Sequence, residues 1–357
     1  MTFWDIVPKP FFAMAPMADV TDVAFRRLVA KRGKPDIMFT EFVSADGLYY
    51  LNELAGAAEK SSAQGPDASK ASGRPLQHDF SAMPARPANP LMRDLQFDED
   101  QRPIVAQIFS SKPEMIKYAT KLVAELGFDG VDINMGCPDR AIERQGAGAS
   151  MIKNPELAVT IIKTAQEASS LPVSVKTRIG YNKETLDEWL MALLEANPSA
   201  ITLHLRTRKE MSAVPADWAQ MKKAVDLRNK VNPKVLLIGN GDVRDLEDAR
   251  AKAAESGCEG VMLGRSMFGN PWVFSAKGGP ASGGDGLSEK LEALIELAYG
   301  FQELSPPKNF AILKKHIKAF VAGFAGAAEL RAKLMEAASA VELETVIQSV
   351  IRPPSSV

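Results

Sequence analysis

Cysteine and histidine are scarce in this chain, 2 and 3 among 357 residues. Cys137 and Cys258 lie far apart, so they offer neither a disulfide framework nor the clustered Cys/His spacing of a zinc site. A reducing, cytoplasmic setting without a metal is the expectation. Net charge is lacking too: 43 basic residues face 44 acidic ones, leaving -1, so any attraction to a polyanion must come from a local patch. The N-terminus MTFWDIVPKPFFAMAP has neither the basic start nor the long apolar run of a signal peptide. Nowhere does an apolar stretch approach the ~20 residues that cross a bilayer, so no membrane partner is expected. There is also no GxGxxG after an early apolar run, which counts against a doubly wound dinucleotide fold.

What is present is repetition. With 46% hydrophobic residues the chain can fill a sizeable core. Short β-rich apolar runs recur at 11–16, 36–42, 103–109, 130–136, 173–180, 200–207, 235–243 and 260–266. Helix-like stretches lie between them, such as TDVAFRRLVAKRG, NPELAVTIIKTAQEA and VRDLEDARAKAAESG, several opening on a capping residue and closing at Gly. Strand alternating with helix eight times predicts an α/β fold, a (β/α)8 TIM barrel over residues 1–274. Residues 52–102 form a long connection whose Ala-, Ser-, Gly- and Pro-rich centre is expected to be flexible. Residues 275–287 read as a Gly/Ser-rich linker, and 288–352 as a smaller all-α C-terminal domain. From Lys308 to Lys333 that domain carries Lys308, Lys314, Lys315, Lys318, Arg331 and Lys333 against the single acid Glu329, a basic face that the neutral total hides.

In such a barrel the C-terminal strand ends and the loops beyond them form the active face, so polar residues there carry functional weight. Gln107, Asn134 and Cys137, Lys176 and Arg178, His204 and Arg206, Asn240 and Asp242, and Gly264 with Arg265 fall there in succession. The glycines and the arginine of IGNGDV and LGRS, after the seventh and eighth strands, suit a phosphate. Lys176 and Arg178 share one face of their strand and call for an anion, either a reduced flavin ring or a phosphate. Cys258 reads as a small buried hydrophobe. Cys137 lies past its strand, before Pro138, with no neighbouring base or metal set. A thiol of pKa about 8.5 placed so is better suited to donate a proton than to attack.

With these residues assembled, the chain resembles the tRNA-dihydrouridine synthase family. The match runs in order through APMADVTDVAFRRL, AQIF, DINMGCP with GAGASMIKNPE, VKTRIG, LHLRTR, GNGDV and LGRSMFGNPW, and KKHIKAFVAGFAGAAELR resembles that family's RNA-binding domain. The resemblance implies a flavin enzyme with FMN as cofactor, NADPH as reductant and tRNA as partner, acting as a monomer. It places Pro16, Met17, Ala18, Gln107, Lys176, His204, Asn240, Gly241, Asp242, Gly264 and Arg265 around FMN. It makes Cys137 the catalytic acid, brings Asn134 and Arg178 to the uracil, and gives Lys314, Lys315 and Lys318 to RNA. The reaction it implies is hydride transfer from reduced FMN to C6 of a uridine, with protonation of C5 by Cys137. The alternatives are an FMN barrel acting on a free small molecule, as dihydroorotate dehydrogenases do, and a non-catalytic tRNA-binding protein. The chain departs from the family where His204-Leu205-Arg206-Thr207 stands for the usual His-Gly-Arg-Thr, and where RKEMSAVPADW lacks the common tyrosine and glycine.

Overall fold

Each apolar run becomes a strand: β1 Phe11–Met14, β2 Met38–Ser44, β3 Ile104–Phe109, β4 Gly130–Met135, β5 Val173–Arg178, β6 Ala200–His204, β7 Leu236–Asn240 and β8 Gly260–Leu263. The structure, a computed structural model, describes residues 2–52, 89–280 and 285–351. The strands are parallel in the order β1-β8-β7-β6-β5-β4-β3-β2. The ring closes between β1 and the start of β2, where Ala13 and Ile37 bridge and the Met14 amide donates to the Ile37 carbonyl at 3.0 Å. This is the expected (β/α)8 barrel, followed by helices at Asp285–Gln302, Lys314–Phe320, Ala327–Leu334 and Ala340–Ile351. The centre of the 52–102 connection, residues 53–88, lies outside the described residues. Among the described residues no helix is long and apolar enough to cross a membrane.

Strand periodicity sorts the side chains into two sets. Ala106, Ile108, Val131, Ile133, Val175, Ile201, Leu203 and Val261 pack outward with the helix faces. Helix Pro155–Ala168 shows how such a face is made. Asn154 caps it by accepting from the Leu157 amide at 3.2 Å, and Ala158, Ile161, Ile162 and Ala165 recur at helical spacing on the buried side. Burying each large aliphatic side chain contributes roughly 1.5–3 kcal/mol.

The alternate strand positions point inward. At the bottom, Phe11, Ile37, Phe39, Val105, Leu236, Ile238 and Met262 form an apolar plug closed by Trp4. The plug is tight, since a Cβ on Gly260 would lie 2.2 Å from the Phe11 ring. Above the plug the inward positions of β3 to β7 are polar: Gln107, Asp132 and Asn134, Ser174 and Lys176, Thr202 and His204, and Asn240. The apolar floor therefore lifts a polar layer to the C-terminal mouth.

The C-terminal helices dock on helix Val23–Gly33 and on the loop after β1. Lys31 and Arg32 bind Glu296 at 2.7 and 2.6 Å. His316 is buried with its ring 4.8 Å from that of Phe25 and 5.8 Å from that of Phe268.

Candidate active site

Cys137 stands two residues past β4, half-buried, in a loop whose backbone is fixed by its neighbours. Asn134 Oδ1 accepts from the amides of Gly136 and Cys137 at 3.1 and 2.9 Å. The GAGAS segment folds back onto the loop, and the Ala149 amide donates to the Cys137 carbonyl at 2.9 Å. Only glycine allows this at 148, where φ is 60° and a Cβ would stand 2.7 Å from that carbonyl oxygen. Arg178 ties this loop to the one after β6: its Nε donates to the Gly136 carbonyl at 2.8 Å, and its Nη1 to the carbonyls of Thr207 and Met211 at 3.1 and 3.0 Å. Burial pushes the Cys137 thiol up, so it is protonated at neutral pH, while the Asp139 amide, Arg178 and Lys176 act the other way.

A cavity of about 240 Å³ opens at the barrel mouth, lined by Pro16, Met17, Lys176, His204, Arg206, Asn240, Gly241, Asp242, Gly264 and Arg265 with several neighbours. Its charge is one-sided, three cations facing the single carboxylate of Asp242. Burial, with Arg178 nearby, brings Lys176 down to about 8. Burial and then the Lys176 charge hold His204 far below its usual range, hence neutral. A guanidinium can only donate, so Arg206 Nη1 donates to His204 Nε2 at 3.1 Å and leaves the ring proton on Nδ1. Arg206, 2% exposed, also donates to the Val214 carbonyl at 2.6 Å. Asp242 pairs with Arg206 and Arg265, and the Arg206 contact above all keeps its carboxyl low. Gly241 is required next to it, with φ of 130° and room for no Cβ, which would sit 2.7 Å from Ala216.

A family profile described as dihydrouridine synthase matches residues 13–65 and 84–352. The chain belongs to the dihydrouridine synthase family. It is 34% identical over 349 residues to a probable tRNA-dihydrouridine synthase of Staphylococcus aureus (strain COL), covering 97% of this chain and 94% of that one. To the probable tRNA-dihydrouridine synthase 2 of Bacillus subtilis (strain 168) it is 36% identical over 348 residues, covering 97% and 95%.

In this dihydrouridine synthase family member, nine of the residues expected around a cofactor line one cavity: Pro16, Met17, Lys176, His204, Asn240, Gly241, Asp242, Gly264 and Arg265. Ala18 and Gln107 are not on that lining; Gln107 instead joins Asn134, whose Nδ2 donates to its Oε1 at 2.9 Å, beneath the thiol loop. Arg178 reaches the loops by their carbonyls. Leu205, at the departure from the family's usual glycine, packs into the outward core and is not on the cavity lining. Of the basic face, Lys314 is half-buried and Lys315 and Lys318 are exposed. Lys315 binds Asp19 of the barrel at 3.0 Å, and Lys308 turns inward. Sequence reasoning gives no role to Arg206 beyond its strand end, nor any to Asp132. The available signal is spacing: each sits two residues from an assigned residue, His204 and Asn134, and a period of two puts them on the same side.

Proposed function

We propose that this chain is a tRNA-dihydrouridine synthase that reduces the C5–C6 bond of a uridine in tRNA, with FMN as cofactor and NADPH as reductant, working as a cytoplasmic monomer. The observation that carries the proposal is a protonated, half-buried thiol in the field of Lys176, which lines a cation-rich cavity at the barrel mouth.

The residues fit FMN. An anionic phosphate suits a lining with three cations and one carboxylate, and Gly241 and Gly264 permit close backbone approach after β7 and β8. Arg265 would hold the phosphate, and Lys176 and the Nδ1–H of His204 would stabilise the electron-rich ring of such a cofactor. Bound and reduced, this cofactor supplies the hydride that uracil accepts at C6.

The chain's own residues complete the reaction. Hydride addition leaves carbanion character at C5, and Cys137 donates its proton there. The thiolate that remains lies in the field of Arg178 and Lys176 before solvent returns the proton. Asn134 has both acceptor positions of its Oδ1 taken by amides, so it offers the base only an N–H, which suits a uracil carbonyl. A stacked uridine must leave the tRNA helix to reach this depth, at a cost of a few kcal/mol met by backbone contacts. Lys314, Lys315 and Lys318 supply such contacts, and their binding weakens with salt.

Incubating the protein with an unmodified tRNA transcript, FMN and NADPH, and measuring dihydrouridine by nucleoside mass spectrometry, tests this. Conversion is the expected result. Oxidation of free dihydropyrimidines with untouched tRNA points to a small-molecule FMN barrel, and tRNA binding without conversion to a binding protein.

A further inference from the structure

Asp132 opens DINMGCP and lies inside the barrel at 0% exposure, yet the chemistry above gives it no part. Two side chains donate to it: Ser174 Oγ to Oδ1 at 2.6 Å and Gln107 Nε2 to Oδ2 at 2.7 Å. Gln107 in turn accepts from Asn134 Nδ2 at 2.9 Å, and Asn134 accepts from the Gly136 and Cys137 amides. The chain thus runs without a break from a buried carboxylate to the backbone of the thiol.

Its direction is not free. Backbone amides only donate, so the oxygen of Asn134 must face the loop and its nitrogen must face Gln107. Gln107 then presents its oxygen to Asn134 and its nitrogen to residue 132, where an acceptor is required. An ionised carboxylate provides one. Burial pushes Asp132 up to about 6, opposed by its bonds to Ser174 and Gln107 and by the Lys176 charge, so it is ionised at neutral pH. In this buried setting an unmet donor is costly, and one reversed member disturbs every later one.

We infer that Asp132 is a positioning residue that sets the orientation of Gln107 and Asn134 and, through them, the place of the Cys137 loop. Its benefit to catalysis rests on the proposed acid role of Cys137. Control of the loop does not, and is read separately through the thiol.

The test is a transposition of charge. Asp132→Leu alone removes the acceptor and leaves the Gln107 amide without its partner, whereas the facing carboxylates of Gln107→Glu alone would share a proton and keep the relay. Pairing Asp132→Asn with Gln107→Glu instead keeps every direction: Ser174 donates to the new amide oxygen at position 132, the amide nitrogen there donates to the new carboxylate at position 107, and Asn134 still donates to that same carboxylate. The readout is iodoacetamide alkylation of Cys137 at pH 7.5 in the full-length protein, followed by peptide mass spectrometry, with buried Cys258 as the internal control. Asp132→Leu is expected to speed alkylation at least ~5-fold, the lower end of the effect of a broken buried hydrogen bond on an opening equilibrium. The double variant is expected to return to within about 2-fold of wild type, because no bond in the relay is then broken. A single variant as slow as wild type overturns the proposal, as does a double variant that stays fast or fails to fold. Dihydrouridine formation by the same proteins, assayed in parallel, reports on the acid role and not on the relay.

Discussion

Lys308 and Glu41 meet at 2.5 Å across the seam between barrel and C-terminal helices, with side chains 4% and 5% exposed. Asp94 lies 3.4 Å from the same ammonium. Burial pushes Glu41 up to about 7 despite Lys308, which shows how much its charge depends on that partner. Removing one member of a buried pair typically costs about 3–5 kcal/mol because the other charge is left uncompensated. Lys308→Met is therefore expected to destabilise the protein by about that much at pH 8, and by less at pH 5.5, where Glu41 takes up a proton. Urea unfolding at the two pH values measures it, and an equal loss at both contradicts the assignment.

His316 gives the opposite pH dependence. Burial, and then Lys315, bring its pKa down to about 4, while the unfolded chain takes up the proton near 6.5. Between those values the unfolded state binds more protons, so this residue's contribution to stability falls as pH falls from about 6.5 towards 4. In His316→Leu that loss is absent. The stability of the variant relative to wild type is expected to improve by up to about 2 kcal/mol between pH 7 and pH 5. A difference that does not change with pH removes the buried neutral histidine from the account.

Arg265 is 63% exposed and shares Asp242 with Arg206. Arg265→Ala leaves Asp242 paired and the cavity intact, so its effect isolates the phosphate contact. FMN affinity, followed by flavin fluorescence quenching, is expected to fall about 10-fold or more, the scale of a charge-assisted hydrogen bond. Unchanged affinity places the phosphate elsewhere.

Lys315 and Asp19 form an exposed ion pair, with side chains 49% and 45% accessible, the kind that contributes little and exchanges readily for a phosphate. Replacing Lys314, Lys315 and Lys318 with Gln is expected to lower the salt dependence of tRNA binding by about one unit of log–log slope per lost phosphate contact. An unchanged slope takes these helices out of the RNA surface.

The barrel was legible in the sequence because both strand faces are buried and the apolar runs are therefore nearly continuous, so seven strands fall within their expected segments and β2 overruns its own by two residues, to Ser44. The thiol loop was legible because Asn134, Gly136, Cys137 and Pro138 act over a few residues. Long-range pairing was not. Asp132 finds Gln107 and Ser174 at separations of 25 and 42 residues, Arg206 finds Asp242 at 36, and Lys308 finds Glu41 at 267. Such contacts depend on strand register and domain docking, which no local pattern encodes. Lys308 illustrates the consequence: along the chain it belongs with the basic face, and in the fold it is enclosed.

Single-turnover reduction of an unmodified tRNA transcript by protein loaded with reduced FMN, comparing wild type with Cys137→Ala, tests the central claim most directly. The account predicts retained flavin and tRNA affinity with the rate of dihydrouridine formation lowered by about 10²–10⁴, the share of a general acid. Dihydrouridine formed at the wild-type rate by Cys137→Ala contradicts it.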